Sequence, residues 1–229
     1  MKKTTSSAGK PMFGLRLFLL TVAAGAVGIV IGIFSLYRYT PGAYQPPASP
    51  NSDQISPYLT HELAPDFLNR VQLDKSFELI IKQDGLNEII SQQDWPAELG
   101  EITFDKPMVI FANRAIYLMG TVNYRDLSSV ATVQAQPVLN PDGRLRLNIQ
   151  SIRLGLLPVT TLVGTLVQQI LDANQEYFSD QPQLAAVIEA IIRSEPFEPV
   201  FTIYNYTVRL SRFHIEEGIL KLYLEPVRP

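Results

Sequence analysis

His214 and Glu216 stand two apart in His214-Ile215-Glu216, which puts both side chains on one face of a strand. That offers an imidazole and a carboxylate to a metal ion or to a proton transfer. Two groups on one strand do not complete a site, and the same pair suits a polar face beside a turn. His61, the other histidine, lies far away in a proline-rich stretch, and Asp53, Asp66, Asp94 and Asp105 have no spacing that gathers carboxylates. With no cysteine in the chain, disulfides, thiol nucleophiles and thiolate metal sites are excluded. GxSxG, HExxH and Walker-type glycine loops are also missing, so neither an enzyme nor a metal or other cofactor is expected. Asn205-Tyr206-Thr207 matches a glycosylation acceptor inside an alternating pattern. Phe201, Tyr204, Tyr206, Phe213 and Tyr223 form an aromatic group that serves either core packing or stacking on a ligand.

Stepping outward from these residues, 229 positions suffice for one sizeable domain and an appendage. The net charge of −3 conceals an asymmetry: all 22 acidic residues lie beyond residue 40, together with 14 of the 19 basic ones. That excess of acid argues against nucleic acid as a partner. Residues 17–36 form an uncharged apolar run, and a helix of that length spans a bilayer core of about 30 Å. The reading is a single transmembrane helix acting as an uncleaved signal-anchor. A basic tail (residues 1–16) precedes it, so the N-terminus is expected in the cytoplasm and the rest of this single-pass membrane protein outside. Residues 37–71 contain six prolines and read as a stalk, with a short helix expected at residues 66–71.

Residues 72–229 read as one extracytoplasmic α+β domain. Phe77, Leu79 and Ile81 mark a strand, and Asp84 is placed to cap a short helix carrying Leu86, Ile89 and Ile90. Strand patterns follow at residues 101–104, 108–112, 115–124, 130–138 and 144–154, joined too closely for crossover helices and therefore antiparallel. Asn140-Pro141-Asp142-Gly143 is a turn. Pro158 is expected to open a long helix to residue 178, followed by a second helix over 183–193, one long strand over 200–215 and a last strand from Ile219. The architecture expected is a curved antiparallel sheet wrapped against the long helix.

Several of these features together, Asp84-Gly85-Leu86-Asn87-Glu88-Ile89-Ile90, the turn at 140–143, Leu145-x-Leu147-x-Ile149-x-x-Ile152 and Gly155-Leu156-Leu157-Pro158, resemble the YpmS-like family of membrane-anchored bacterial envelope proteins. More loosely they resemble YceB-like lipoproteins and the tubular lipid-binding (BPI-like) superfamily. The resemblance covers about residues 72–226 and implies a curled sheet around a helix with an apolar groove that accommodates lipid. It transfers no site residue. On the expected long helix, Leu162, Leu166 and Ile170 form one ridge, and the strand residues expected to face it across a groove are Leu147, Ile149, Leu118 and Ile110. Two functions follow. One is a non-enzymatic domain that binds or shields a lipid or other apolar ligand in the cell envelope. The other is a packed interaction module for an envelope protein, whose identity the sequence does not give.

Overall fold

A computed structural model describes residues 11–48, 55–99, 101–112, 114–160, 190–191 and 193–227, with side chains from residue 24 onward. Of the described residues, 47% are strand and 25% helix. The described part is therefore mostly sheet, where the sequence suggests an α+β domain built on one long helix. Ten strands make two antiparallel sheets: β1 (Phe77–Lys82), β10 (Ile219–Pro226), β9 (Tyr206–Glu216) and β8 (Val200–Ile203) in one, and β2 (Ala97–Leu99) through β3 (Ile102–Ala112), β4 (Ala115–Tyr124), β5 (Leu127–Leu139), β6 (Leu145–Leu154) and β7 (Leu157–Pro158) as a meander in the other.

Several expectations are corrected. Glu101–Phe104 and Met108–Ala112 are one strand with a bulge between Asp105 and Met108, where Lys106 takes a positive φ. The long strand over 200–215 is instead a hairpin, folded back at Tyr204-Asn205 with Tyr204 at φ +54°. Pro158 pairs with Arg153 in β7, and Thr160, two residues on, is helical. The rest of the expected helix over 158–178, with Leu162, Leu166 and Ile170, lies outside the described residues, as does most of the one over 183–193. Lys82, in an extended conformation, is the N-cap of α3 (Gln83–Ser91), and Asp84 falls in its first turn without capping it.

The membrane anchor is corrected as well. The apolar run does form a helix, α1 (Pro11–Tyr37). Among the described residues, however, no helix is long and apolar enough to cross a membrane. Side chains of α1 are described for residues 24–37. The transmembrane and signal-anchor reading, and the single-pass localisation built on it, are not supported. Those side chains, among them Ile29, Val30 and Ile33, are exposed. The C-terminal turn of α1 is fixed to the six-stranded sheet: Leu156 N–H donates to Leu36 O (2.9 Å) and the Ser129 hydroxyl to Tyr37 O (2.5 Å). Carbonyls of a last helical turn lack partners within the helix, and these contacts supply them.

Within residues 37–71, Tyr44 packs on Met108, Met119 and Val130 and donates its hydroxyl to Lys106 O at 2.9 Å. Burial pushes that hydroxyl's pKa up. Further on, a π-helical turn (Tyr58–Leu63) runs directly into α2 (Ala64–Val71). Pro57 is the N-cap of the first, where its missing N–H costs no helical hydrogen bond, and Pro65 lies in the first turn of the second. Phe67 and Val71 of α2 are buried on Leu79, Val208, Leu210 and Leu224, the inner face of the four-stranded sheet.

The two sheets meet at α3. Asn87, itself buried, donates from Nδ2 to Val109 O (2.8 Å) and accepts from Val109 N–H (2.6 Å), and Gln83 Oε1 accepts from Phe111 N–H (2.9 Å). β2 covers only the first part of β3, pairing with residues 102–104. Side chains of α3 thus complete the ladder along the remainder of that edge. Beneath them Val109, Phe111 and Ile215 form a core that joins both sheets.

Candidate functional site

The strongest candidate is an apolar trough of about 520 Å³ on the inner face of the four-stranded sheet. Strand alternation builds its floor. Leu79 pairs with Leu222, Leu224 with Leu210, and Phe201 with Val208, so all six side chains rise on the same side. Leu59, Leu63 and Phe67, four residues apart along the π-helical turn and α2, supply one wall, and Leu145 reaches in from β6. Leu145 is held there by reciprocal backbone hydrogen bonds with Phe197, at 2.8 and 2.9 Å.

At the β8 end the floor runs out into solvent. Phe201, Ile203 and Tyr204 line the trough yet are 41%, 38% and 68% exposed. Tyr204 is the one described lining residue whose side chain carries a polar atom. It occupies the first position of a two-residue turn at positive φ, where glycine is the comfortable residue, so a large aromatic is held at the rim against its backbone preference. Among its described lining residues the trough has no acid, base or nucleophile. It can exclude water and gain dispersion contacts, and the volume lies in the range usual for small-ligand pockets.

Of the seven residues expected to line a groove, four are described. Leu162, Leu166 and Ile170 are outside the described residues. Leu118, Ile149 and Leu147 share one face of the six-stranded sheet, on which Leu118 is 47% exposed. Ile110 points to the opposite face, because it pairs with Tyr117 while its neighbour Val109 pairs with Leu118. There Ile110 lines a second cavity, of about 450 Å³, between the sheet and the turn at Pro41-Gly42, with Tyr39, Met119 and Arg153. None of the four described ones lines the trough.

The polar candidates fall on the outer face of the four-stranded sheet. Glu216 Oε1 stands 3.5 Å from His214 Nε2 and 2.6 Å from Lys221 Nζ, all three exposed or half-exposed near the β9–β10 turn. Among the described residues no group of three or more potential ligands could hold a metal ion. His61 lies exposed on the π-helical turn, its Nδ1 3.4 Å from the Thr60 hydroxyl. The aromatic group is divided by the pleat: Phe201 and Tyr204 go to the trough and Tyr206 and Phe213 to the core. Tyr223 faces outward with the Arg212 guanidinium 4.0 Å from its ring centroid. A hydrogen bond to the Glu78 carboxylate holds the Tyr223 hydroxyl's pKa above its ordinary value. Asn205 of the glycosylation-like triplet is exposed in the β8–β9 turn.

What sequence reasoning missed is the wall. Leu59, Leu63 and Phe67 carry a helical spacing inside a stretch whose prolines suggest a stalk. No protein-family model matches the chain, and no curated protein matches it.

Proposed function

We propose that this protein is a non-catalytic binding domain that takes an apolar ligand into the trough of the four-stranded sheet. The observation that carries this reading is the trough itself: about 520 Å³ bounded almost wholly by aliphatic and aromatic side chains, with three of them left exposed at one end as an entrance. A closed core would have buried those three. The resemblance to tubular lipid-binding domains points in the same direction, towards a ligand with a hydrocarbon chain.

The test is uptake of a fluorescent fatty acid by the full chain. Saturable binding is expected. Ile203→Asp places a charge at the half-exposed rim, where the fold tolerates it, and should weaken uptake about tenfold or more because the carboxylate must be desolvated. Absence of uptake, or undiminished uptake by a folded Ile203→Asp variant, overturns the reading.

A further inference from the structure

Among the described residues, the rim of the trough is also a free sheet edge. β8 is the outermost strand of its sheet, paired on one side with β9. Leu210 N–H donates to Pro199 O at 2.9 Å, which fixes the alternation of the antiparallel ladder. Phe201–Val208 and Ile203–Tyr206 are then the pairs that exchange backbone hydrogen bonds, and the backbone groups of Val200 and Thr202 point away from β9. Val200 N–H is taken by Glu198 O at 2.9 Å. The N–H and C=O of Thr202 are thus directed to the open side, on a residue that is itself exposed. Two of the other edges are treated differently. Tyr58 accepts a hydrogen bond from Lys82 N–H on the edge of β1, and α3 closes the edge of β3.

We propose that the trough and the edge of β8 form one recognition surface for an extended peptide, which adds as a strand beside β8 and drops alternate apolar side chains into the trough. This rests on the reading of the trough as a binding site and names its ligand class. In such an addition the peptide residue opposite Thr202 shares the outer face with it. The residues on either side of that one share the face of Phe201 and Ile203, which is the face of the trough. The segment recognised is apolar-x-apolar, with main-chain bonds for affinity and the trough for selection. A hydrocarbon chain could occupy the same space but has nothing to offer the backbone of Thr202.

The experiment uses the full chain and a labelled peptide of about eight residues in which Val and Thr alternate, against a control of the same composition with its Val residues contiguous. Fluorescence anisotropy should show the alternating peptide binding more tightly. Thr202→Pro removes the outward N–H without touching the β8–β9 ladder, a change edge strands accept, and should weaken the peptide about tenfold while fatty-acid uptake is unchanged. If thermal denaturation shows that Thr202→Pro has lost its fold, the N-methylated peptide makes the same deletion from the ligand's side and should lose as much. Equal binding of the two peptides overturns strand addition, and so does full affinity in both the Thr202→Pro variant and the methylated peptide. Fatty-acid uptake with no peptide binding overturns it too and leaves the trough a hydrocarbon site. If neither probe binds, the trough reading itself fails.

Discussion

The two sheets of this protein treat their exposed surfaces in opposite ways. The six-stranded sheet is covered at three places: α3 supplies hydrogen bonds to the edge of β3, Tyr44 covers Met108 and Met119, and the end of α1 is fastened over Gly155. The four-stranded sheet is closed along β1, by the Tyr58 hydroxyl, and is left open along β8, where its apolar face continues past the cover of α2. Unpaired edges and bare apolar faces are liabilities that folded chains normally suppress. Among the described residues that suppression is uneven, and at β8 an unpaired strand edge and a bare apolar face coincide.

The contrast breaks most readily at Gly155. Its φ is +60°, and a Cβ there would stand 2.3 Å from Leu36 O and 2.5 Å from Tyr37 O, backbone atoms that cannot swing aside. Gly155→Ala should cost about 2–4 kcal/mol, combining left-handed strain with overpacking. The loss should concentrate where α1 meets the sheet. Chemical denaturation measures the cost, and limited proteolysis should show new cleavage between residues 37 and 44 while the trough still takes up fatty acid. Equal loss of both would mean that the two sheets are not separable in this way.

Asn87→Leu attacks the closure of β3. The substitution preserves approximate volume but removes two hydrogen bonds, leaving Val109 N–H and C=O buried without partners. A loss of about 2–3 kcal/mol is expected from thermal or denaturant unfolding. If closing that edge matters as the comparison says, the variant should also self-associate at high concentration, measurable by sedimentation. A stable, strictly monomeric variant would show that β3 needs no protection.

How far these features could be read from sequence depends on whether their causes are local. β4 emerges at the expected Ala115–Tyr124 because alternation within the segment decides it. The turn at 140–143 forms with Gly143 at φ +82° and Gly143 N–H bonded to Asn140 O, as its residue types dictate. α3 was legible as a helix, but the importance of Asn87 was not, since the backbone it serves lies 22 residues away. The hairpin at Tyr204-Asn205 was hidden because a tyrosine stands where glycine would have announced a turn. The trough was hidden twice over. Prolines masked the helical spacing of its wall, and its floor combines β1, β8, β9 and β10, brought together from the two ends of the domain by a pairing that no single segment encodes.

The smallest effect is expected on the outer face of the four-stranded sheet, at Glu216. The hydrogen bond from Lys221 holds the Glu216 carboxyl below the ordinary glutamate range, with the charges of Lys221 and His214 acting in the same direction against partial desolvation. The same bond raises Lys221. A depressed carboxyl stabilises the fold above the pKa it has in the unfolded chain, and that contribution disappears as pH falls through its lower folded value. A raised lysine contributes below its unfolded pKa and loses its contribution as pH rises through the higher folded one. The pair therefore favours the fold across the whole neutral range and weakens only at the acid and alkaline extremes. Because all the groups are solvated, Glu216→Gln should leave the melting temperature at pH 7 unchanged within error. An NMR titration of Glu216 should nevertheless find its carboxyl below the ordinary range in wild type and back within it in Lys221→Met. A marked fall in stability for Glu216→Gln would mean that the outer face is no passive surface, and that the division between a committed inner face and an inert outer one has been drawn in the wrong place.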